Sequence, residues 1–247
     1  MSIEIELPDE SPIEKVLTPE RLKSYSEEEI EELEFFAQFV EALIVVEGKK
    51  GSGKTQLAVA ILYKLKKYFE LPIVSDQKLR PAFGEYNHLD EASFVGEIDR
   101  VSDIARGTSQ DEIELAVEFS LQKHGIKLAN AAIMLDEAYK YFDCRTPSDK
   151  LVRVFGYFVA QMRHYHATLI LCCPNRRYLD QRVRDQIDFL CKVAYDKYEE
   201  VVHARFLSYE TGDVIPLAVY GPSYRDLYHS WSPIAMRKKV LDITRSL

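Results

Sequence analysis

An α/β fold with a mostly parallel sheet, extended by antiparallel strands toward the C-terminus, is predicted by three features of the sequence. The first is a set of apolar, largely β-branched runs, ALIVVEG from 42, LPIVSD from 71, ANAAIMLDEA from 129 and ATLILCC from 167, separated by segments of helical period. Such runs are buried on both faces, as in a parallel sheet covered by helices on either side. The second is a change of pattern near residue 189, where FLCKVAYDKY, EVVHARFLSY and DVIPLAVYG alternate apolar with polar residues. With Thr211-Gly212 between the last two, these read as antiparallel strands joined by a hairpin turn. The third is EGKKGSGKTQL, residues 47–57, a glycine-rich loop set between the first apolar run and a helical one.

The chain of 247 residues, 47% of them hydrophobic, is long enough for one α/β domain with a full core, or for a core plus a small appendage. We divide it into an N-terminal arm and amphipathic helix over 1–41 and a single larger domain over 42–247. Pro8, Pro12 and Pro19 among acidic residues suggest an extended arm over 1–26 with little core of its own. SEEEIEELEFFAQFVEAL follows, with Ser26 as a cap, acids in the first turn and apolar residues at 30, 33, 36, 37 and 40, the spacing of an amphipathic helix. TQLAVAILYKLKKYF continues from the glycine loop with helical period. The stretch to about 109 has Pro81, Gly84, Gly96 and Gly107 and no clean period, so loops with short helices are expected. Helices are expected over 111–125 and 149–165.

A net charge of -8 and a pI near 5.4 exclude a protein that coats nucleic acid over its whole surface. A local basic lining is compatible with that balance. Cys144, Cys172, Cys173 and Cys191 have neither metal-ligand spacing nor a CxxC pair and read as small buried hydrophobes. The acidic start MSIEIELPDESPIEK lacks the pattern of a signal peptide, and no apolar run reaches the roughly 18 residues of a membrane helix. A cytoplasmic location without membrane insertion is the expectation.

Gly48, Gly53, Lys54 and Thr55 fit GxxxxGK[ST], in the strand, loop, helix context that a phosphate loop requires. Glycines let backbone N–H groups turn inward around phosphates, and the helix N-terminus adds partial positive charge. The candidate nucleotide contacts are Gly48, Lys50, Gly51, Ser52, Gly53, Lys54, Thr55 and Gln56, for ATP with Mg²⁺. Lys54 would reach the β- and γ-phosphates and the Thr55 hydroxyl would ligate the metal. A partner acid is needed at the end of a neighbouring strand, and AIMLDE supplies Asp136 for the metal, partly through water, with Glu137 as general base. A base beside the metal acid favours hydrolysis over a kinase or a slow switch. The bland alternative is a strand that ends in two solvated acids.

ATLILCC should lie beside the nucleotide, because ligands sit at the carboxyl ends of the strands in such sheets. Its exit, CCPNRRYLDQRVRDQID, places Asn175 where it could sense the γ-phosphate and groups Arg176, Arg177, Arg182 and Arg184. These are either surface arginines or include one that reaches the next subunit's nucleotide. His164 and His166, without a further ligand cluster, read as packing or hydrogen-bonding residues, and Trp231 as a packed side chain.

VVEGKKGSGKT, MLDEAYKYFDCR, FVAQMRHYHATLILCCPNRRYLDQRVRDQID and RDLYHSWSPI together resemble the FtsK–HerA superfamily of DNA-pumping ATPases. The likeness is greatest to the small packaging ATPases of archaeal and membrane-containing viruses and to Zot-like proteins, and it spans about 42–235. It implies a RecA-like P-loop NTPase core that assembles as a hexamer or pentamer and pulls double-stranded DNA through its central pore. A capsid or membrane-associated virion protein would be a further partner, and a viral member would work in the host cytoplasm. Lys54, Thr55, Asp136 and Glu137 match the family's catalytic pattern. The family usually ends its sensing strand with glutamine, where this chain reads Cys173-Pro174-Asn175. Arg184 is the preferred match for a trans-acting arginine, with Arg182 behind it. Pore-lining candidates are Lys78, Arg80, Arg100 and Arg106.

Two other readings compete. An AAA+ type initiator or remodelling ATPase would use Asn175 as sensor, but that class usually carries a C-terminal helical lid where 190–220 here read as strands. A non-motor binding module or small-molecule kinase would leave Glu137 and the arginine-rich exit without a role.

Overall fold

The computed structural model describes residues 11–89, 129–145, 152, 156, 158–160 and 162–228. The helix expected over 111–125, most of that expected over 149–165, and Arg100, Arg106 and Trp231 lie outside these residues. Within 149–165, residues 152, 156 and 158–160 are helical.

The first residues described differ from the extended arm that the prolines suggest. Ser11 caps α1 (Pro12–Val16) and Thr18 caps α2 (Pro19–Leu22), each with proline in the first helical position. Proline lacks only an N–H that has no helical partner there, and its fixed φ suits the first turn. Val16 is buried among core residues. α3 (Glu27–Ala37) starts in a capping box: Glu29 N donates to Ser26 Oγ at 3.3 Å and Ser26 N to the Glu29 carboxylate at 3.2 Å. Its apolar stripe places Leu33, Phe36 and Ala37 against α4 (Lys54–Phe69).

The strands are β1 (Leu43–Glu47), β2 (Ile73–Ser75), β3 (Asn87–His88), β4 (Ala132–Leu135), β5 (Thr168–Cys173), β6 (Phe189–Asp196), β7 (Val201–Ser208) and β8 (Val214–Tyr220). Among the described residues they form one sheet in the order β3-β2-β4-β5-β1-β6-β7-β8. The pairings from β3 through β6 are parallel, and those of β6 with β7 and β7 with β8 are antiparallel. This is the predicted α/β class. β6 is the joint, running parallel to β1 from Ile44↔Phe189 to Glu47↔Lys192 while pairing antiparallel with β7.

Strand periodicity explains the two cores. Ile44 and Val46 of β1, with Met134, Ile170 and Cys172, face the side covered by α3 and α4. Leu43 and Val45, with Ile133, Leu135, Leu169 and Leu171, face the other side, together with Phe158, Val159 and Val183. Beyond β1 the alternation changes character: Lys192 and Ala194 of β6 and His203 and Arg205 of β7 are exposed, while Val193, Val202, Ala204 and Phe206 stay buried toward α4. The hairpin turn is where the sequence places it, with Gly212 at φ 79°. Cys172, Cys173 and Cys191 are buried, and burial pushes the Cys173 thiol up to about 12; Cys144 is half-buried.

The topology fixes the site. β5 lies between β1 and β4, so the C-terminal ends of β1, β4 and β5 open side by side on one edge of the sheet.

Candidate nucleotide site

The loop after β1 is shaped by its glycines. Gly51 has φ 78° and Gly53 φ 90°, conformations that cost an L-residue roughly 1–2 kcal/mol. At Gly53 a Cβ would also come within 2.6 Å of Val202 Cγ2, so the loop sits directly on β7. A Cβ on Gly48 would come within 3.0 Å of Val193 Cγ1 on β6. Gly48 N donates to Cys173 O at 3.3 Å, tying the loop's start to the end of β5. Gly53 is the N-cap of α4 and offers no side-chain cap to that helix's first N–H groups. Lys54 is buried, and its ammonium curls back to donate to Lys49 O at 3.2 Å.

The acid strand meets this loop. Thr55 Oγ1 donates to Asp136 Oδ2 at 2.9 Å, and Asp136 Oδ1 accepts from Glu137 N at 3.0 Å. Burial raises the Asp136 carboxyl above its ordinary pKa; the bonds from Thr55 and Glu137 N partly offset that. Glu137 adopts φ 49°, ψ 45°, a left-handed conformation unusual for a residue with a side chain. Outliers of this kind persist where the surroundings over-determine them. Its Oε2 is buried without a hydrogen-bond partner, as is Ser52 Oγ in the loop. Unpartnered buried oxygens on both sides, uncapped helix N–H groups, a lysine, and a hydroxyl already aimed at a carboxylate form a donor set that fits a nucleotide polyphosphate with a divalent cation. Thr55 and Asp136 would hold the metal and Lys54 the phosphates.

A cleft of about 570 Å³ runs beside the loop, lined on one side by 47–52 and on the other by Pro174, Asn175 and residues 192–195 of β6. Asn175 therefore faces the same space as Lys50, Gly51 and Ser52. Its Oδ1 accepts from Arg177 N at 2.9 Å and caps the short 3₁₀ turn over Arg176–Tyr178. The buried Gln56 side chain donates to Gly221 O, just after β8.

The arginine-rich exit is bound to two neighbours. Arg176 N donates to Glu47 Oε2 at 3.1 Å, just before the loop, and the Arg176 guanidinium packs on Tyr209. Asp180 N donates to Phe142 O at 2.6 Å and Cys144 N to Tyr178 O at 2.9 Å, so the exit is laced to the segment following Glu137. α5 (Gln181–Arg184) carries the two candidate trans-acting arginines: Arg182 pairs with Asp180 at 3.1 Å, and Arg184 Nε is buried without a hydrogen-bond partner. α6 (Gly221–Arg225) closes the region against α4.

Several expected residues lie apart from this cluster. His166 Nδ1 lies 3.0 Å from Glu41 Oε2, while His164 is exposed. Lys78 is exposed after β2, and Arg80 is 3.4 Å from Asp226. The sequence reading passed over Asp76. At the end of β2, both its oxygens accept from Asp136 N, at 2.9 and 3.0 Å. Its signal was available, since LPIVSD is an apolar run that ends in an acid as AIMLDE does.

Against known families, the model for zonular occludens toxin (Zot) matches residues 42–197. No curated protein matches the sequence. Among solved structures, similarity is found to the genome packaging NTPase B204 of Sulfolobus turreted icosahedral virus 2 in complex with ATP-gammaS, at 16% identity and TM-score 0.46, covering 71% of this chain and 96% of that one. The N-terminal domain of zonular occludens toxin from Neisseria meningitidis is similar at 12% identity and TM-score 0.48, covering 77% and 100%. The pCW3 conjugation coupling protein TcpA with ATPgS is similar at 16% identity and TM-score 0.42, covering 74% and 62%.

Proposed function

The chain belongs to the zonular occludens toxin (Zot) family, and from that premise we propose that it is an ATP-hydrolysing, ring-forming motor that moves double-stranded DNA, with the packaging of a viral genome as its work. The observation that carries the ATPase part is the 2.9 Å hydrogen bond from Thr55 to Asp136, which joins phosphate loop and acid strand with Glu137 next in the chain. The motor part is supported by the superfamily resemblance and by the arginine-rich exit bound beside the site. In this reading 42–247 form the ATPase unit, 1–41 its appendage, and the ring is a hexamer or pentamer. A capsid or membrane-associated virion protein would receive it. No helix among the described residues is long and apolar enough to cross a membrane.

Bound ATP with Mg²⁺ would supply the transferable phosphoryl group and the charge neutralisation. Lys54 would exchange its carbonyl partner Lys49 for a phosphate oxygen. Thr55 and Asp136 are pre-paired to share a cation. Glu137 offers Oε2 to orient a water and accept its proton. Asn175 and Arg184 act as sensor and trans-acting arginine. The remodelling-ATPase alternative ranks second because β6, β7 and β8 occupy the stretch where that class carries its helical lid.

The test is ATP turnover by variants. Lys54→Ala is expected to lose nucleotide binding and hydrolysis. Glu137→Gln is expected to bind ATP normally while kcat falls by about 10²–10⁴-fold, the typical contribution of a general base. Undiminished turnover in Glu137→Gln would refute the assignment.

A further inference from the structure

We propose that Asp76 is a positioning residue of this site, a third carboxylate that clamps the turn carrying Glu137 at both of its ends; the inference rests on the ATPase reading above. At the near end, Asp136 N donates to Asp76 Oδ1 at 2.9 Å and to Oδ2 at 3.0 Å. At the far end, the Tyr141 hydroxyl donates to Asp76 Oδ2 at 3.4 Å, and Tyr141 is fully buried. Between them lies the 3₁₀ turn Ala138–Lys140 with Glu137 as its left-handed N-cap.

The clamp is itself anchored. Asp76 N donates to Met134 O at 3.3 Å, so its backbone is tied to the acid strand that its side chain serves. β2 and β4 run parallel in the register Ser75↔Met134, which brings the residue after each strand to the same edge. The arrangement has a chemical consequence. Asp136 uses its own oxygens to accept from Thr55 Oγ1 and from Glu137 N, so its backbone N–H takes a different acceptor. A carboxylate there satisfies that N–H and fixes the Leu135–Asp136 peptide, one link before the peptide that enters Glu137. Charge-assisted bonds to backbone N–H groups are among the stronger hydrogen bonds in proteins. That N–H is shared between both oxygens in one bifurcated bond, and with the buried Tyr141 phenol on Oδ2 it supports the turn in which Glu137 holds its left-handed conformation.

A positioning role differs from a packing role in what it changes. If Asp76 sets the aim of the base, its loss lowers kcat and leaves ATP binding alone, because the group it holds is the backbone before Glu137. The experiment measures kcat, KM for ATP, binding of a non-hydrolysable ATP analogue and thermal stability for the full chain with Asp76→Ala, Asp76→Asn and Tyr141→Phe. The expected result is a fall in kcat of at least tenfold in Asp76→Ala, a smaller fall in Asp76→Asn, which keeps one acceptor oxygen, and the smallest in Tyr141→Phe. Analogue binding stays within twofold of the parent throughout. Unchanged kcat in Asp76→Ala overturns the proposal. So does a loss of stability and analogue binding in step with kcat in Asp76→Asn, which would make the residue structural. Glu137→Gln run alongside separates the two readings: if it retains full turnover, the ATPase assignment fails, whereas if it is inactive and Asp76→Ala is not, only the clamp fails.

Discussion

Asp136 shows how a single residue can serve a site at the expense of the fold. Its carboxyl pKa is raised, chiefly because burial penalises the charged form. A raised folded value means that the neutral form is favoured: the group's contribution to stability is full below the unfolded carboxylate pKa and is lost as pH rises through the folded value. At neutral pH without nucleotide the charge is therefore a cost, which a bound cation would offset. Asp136→Asn imitates the neutral form and can still accept from Thr55. We expect nucleotide-free Asp136→Asn to melt at or above the parent's Tm at pH 7.5 and to have lost Mg²⁺-dependent hydrolysis; a clear drop in Tm would show that the charge supports the fold. The meeting of Thr55 with Asp136 was legible, because a GxxxxGK[ST] loop and an apolar strand ending in acids are both patterns of the sequence. Asp76 was not, since an acid ending a short strand is common, and its role depends on which strand pairs beside it.

Among the elements, the antiparallel extension does more than widen the sheet. Val202 of β7 sits where a Gly53 side chain would be, Val193 of β6 lies against Gly48, and Gly221 after β8 accepts from Gln56 of α4. β6 to β8 thus form the back wall of the phosphate loop, and the required glycine at 53 reflects that wall as much as the loop's φ. Gly53→Ala is expected to destabilise the protein by about 2 kcal/mol or more through left-handed strain and overpacking. Val202→Ala in the same chain should relieve the packing part and recover stability relative to Gly53→Ala alone, as read by denaturant unfolding. If the double variant is less stable by the sum of two independent losses, the wall does not press on the loop. The strands themselves were visible as alternation between 189 and 220. Their contact with the loop was not, because it joins residues some 150 positions apart. The expected arm over 1–26 failed in part for a local reason: Pro12 and Pro19 read as breakers, yet each follows a capping Ser or Thr and so begins a helix. The Gln56 side chain is held by Gly221 O, so the group it can offer to the expected nucleotide contact is its backbone N–H in the first turn of α4.

For the whole molecule, the sheet order sets what can be coupled to what. With β5 between β1 and β4, the segment after β5 touches both halves of the site: Arg176 N reaches Glu47 before the loop, and Asp180 N reaches Phe142 after the acid strand. The segment that leads to Arg182 and Arg184 on α5 is thus bonded both to the strand before the glycine loop and to the turn after the acid strand. The formal charge of -8 sets a condition on the proposed DNA contact, which would be confined to a few cations of each subunit. The measurement that tests the central proposal most directly is the steady-state ATPase rate of the full chain with and without a double-stranded DNA duplex at low salt, alongside Lys54→Ala. The account predicts a rate that rises with duplex, falls back as salt is raised because phosphate contacts are screened, and is absent in Lys54→Ala. An equal rate with and without duplex, from a protein that stays monomeric with ATP, would contradict it.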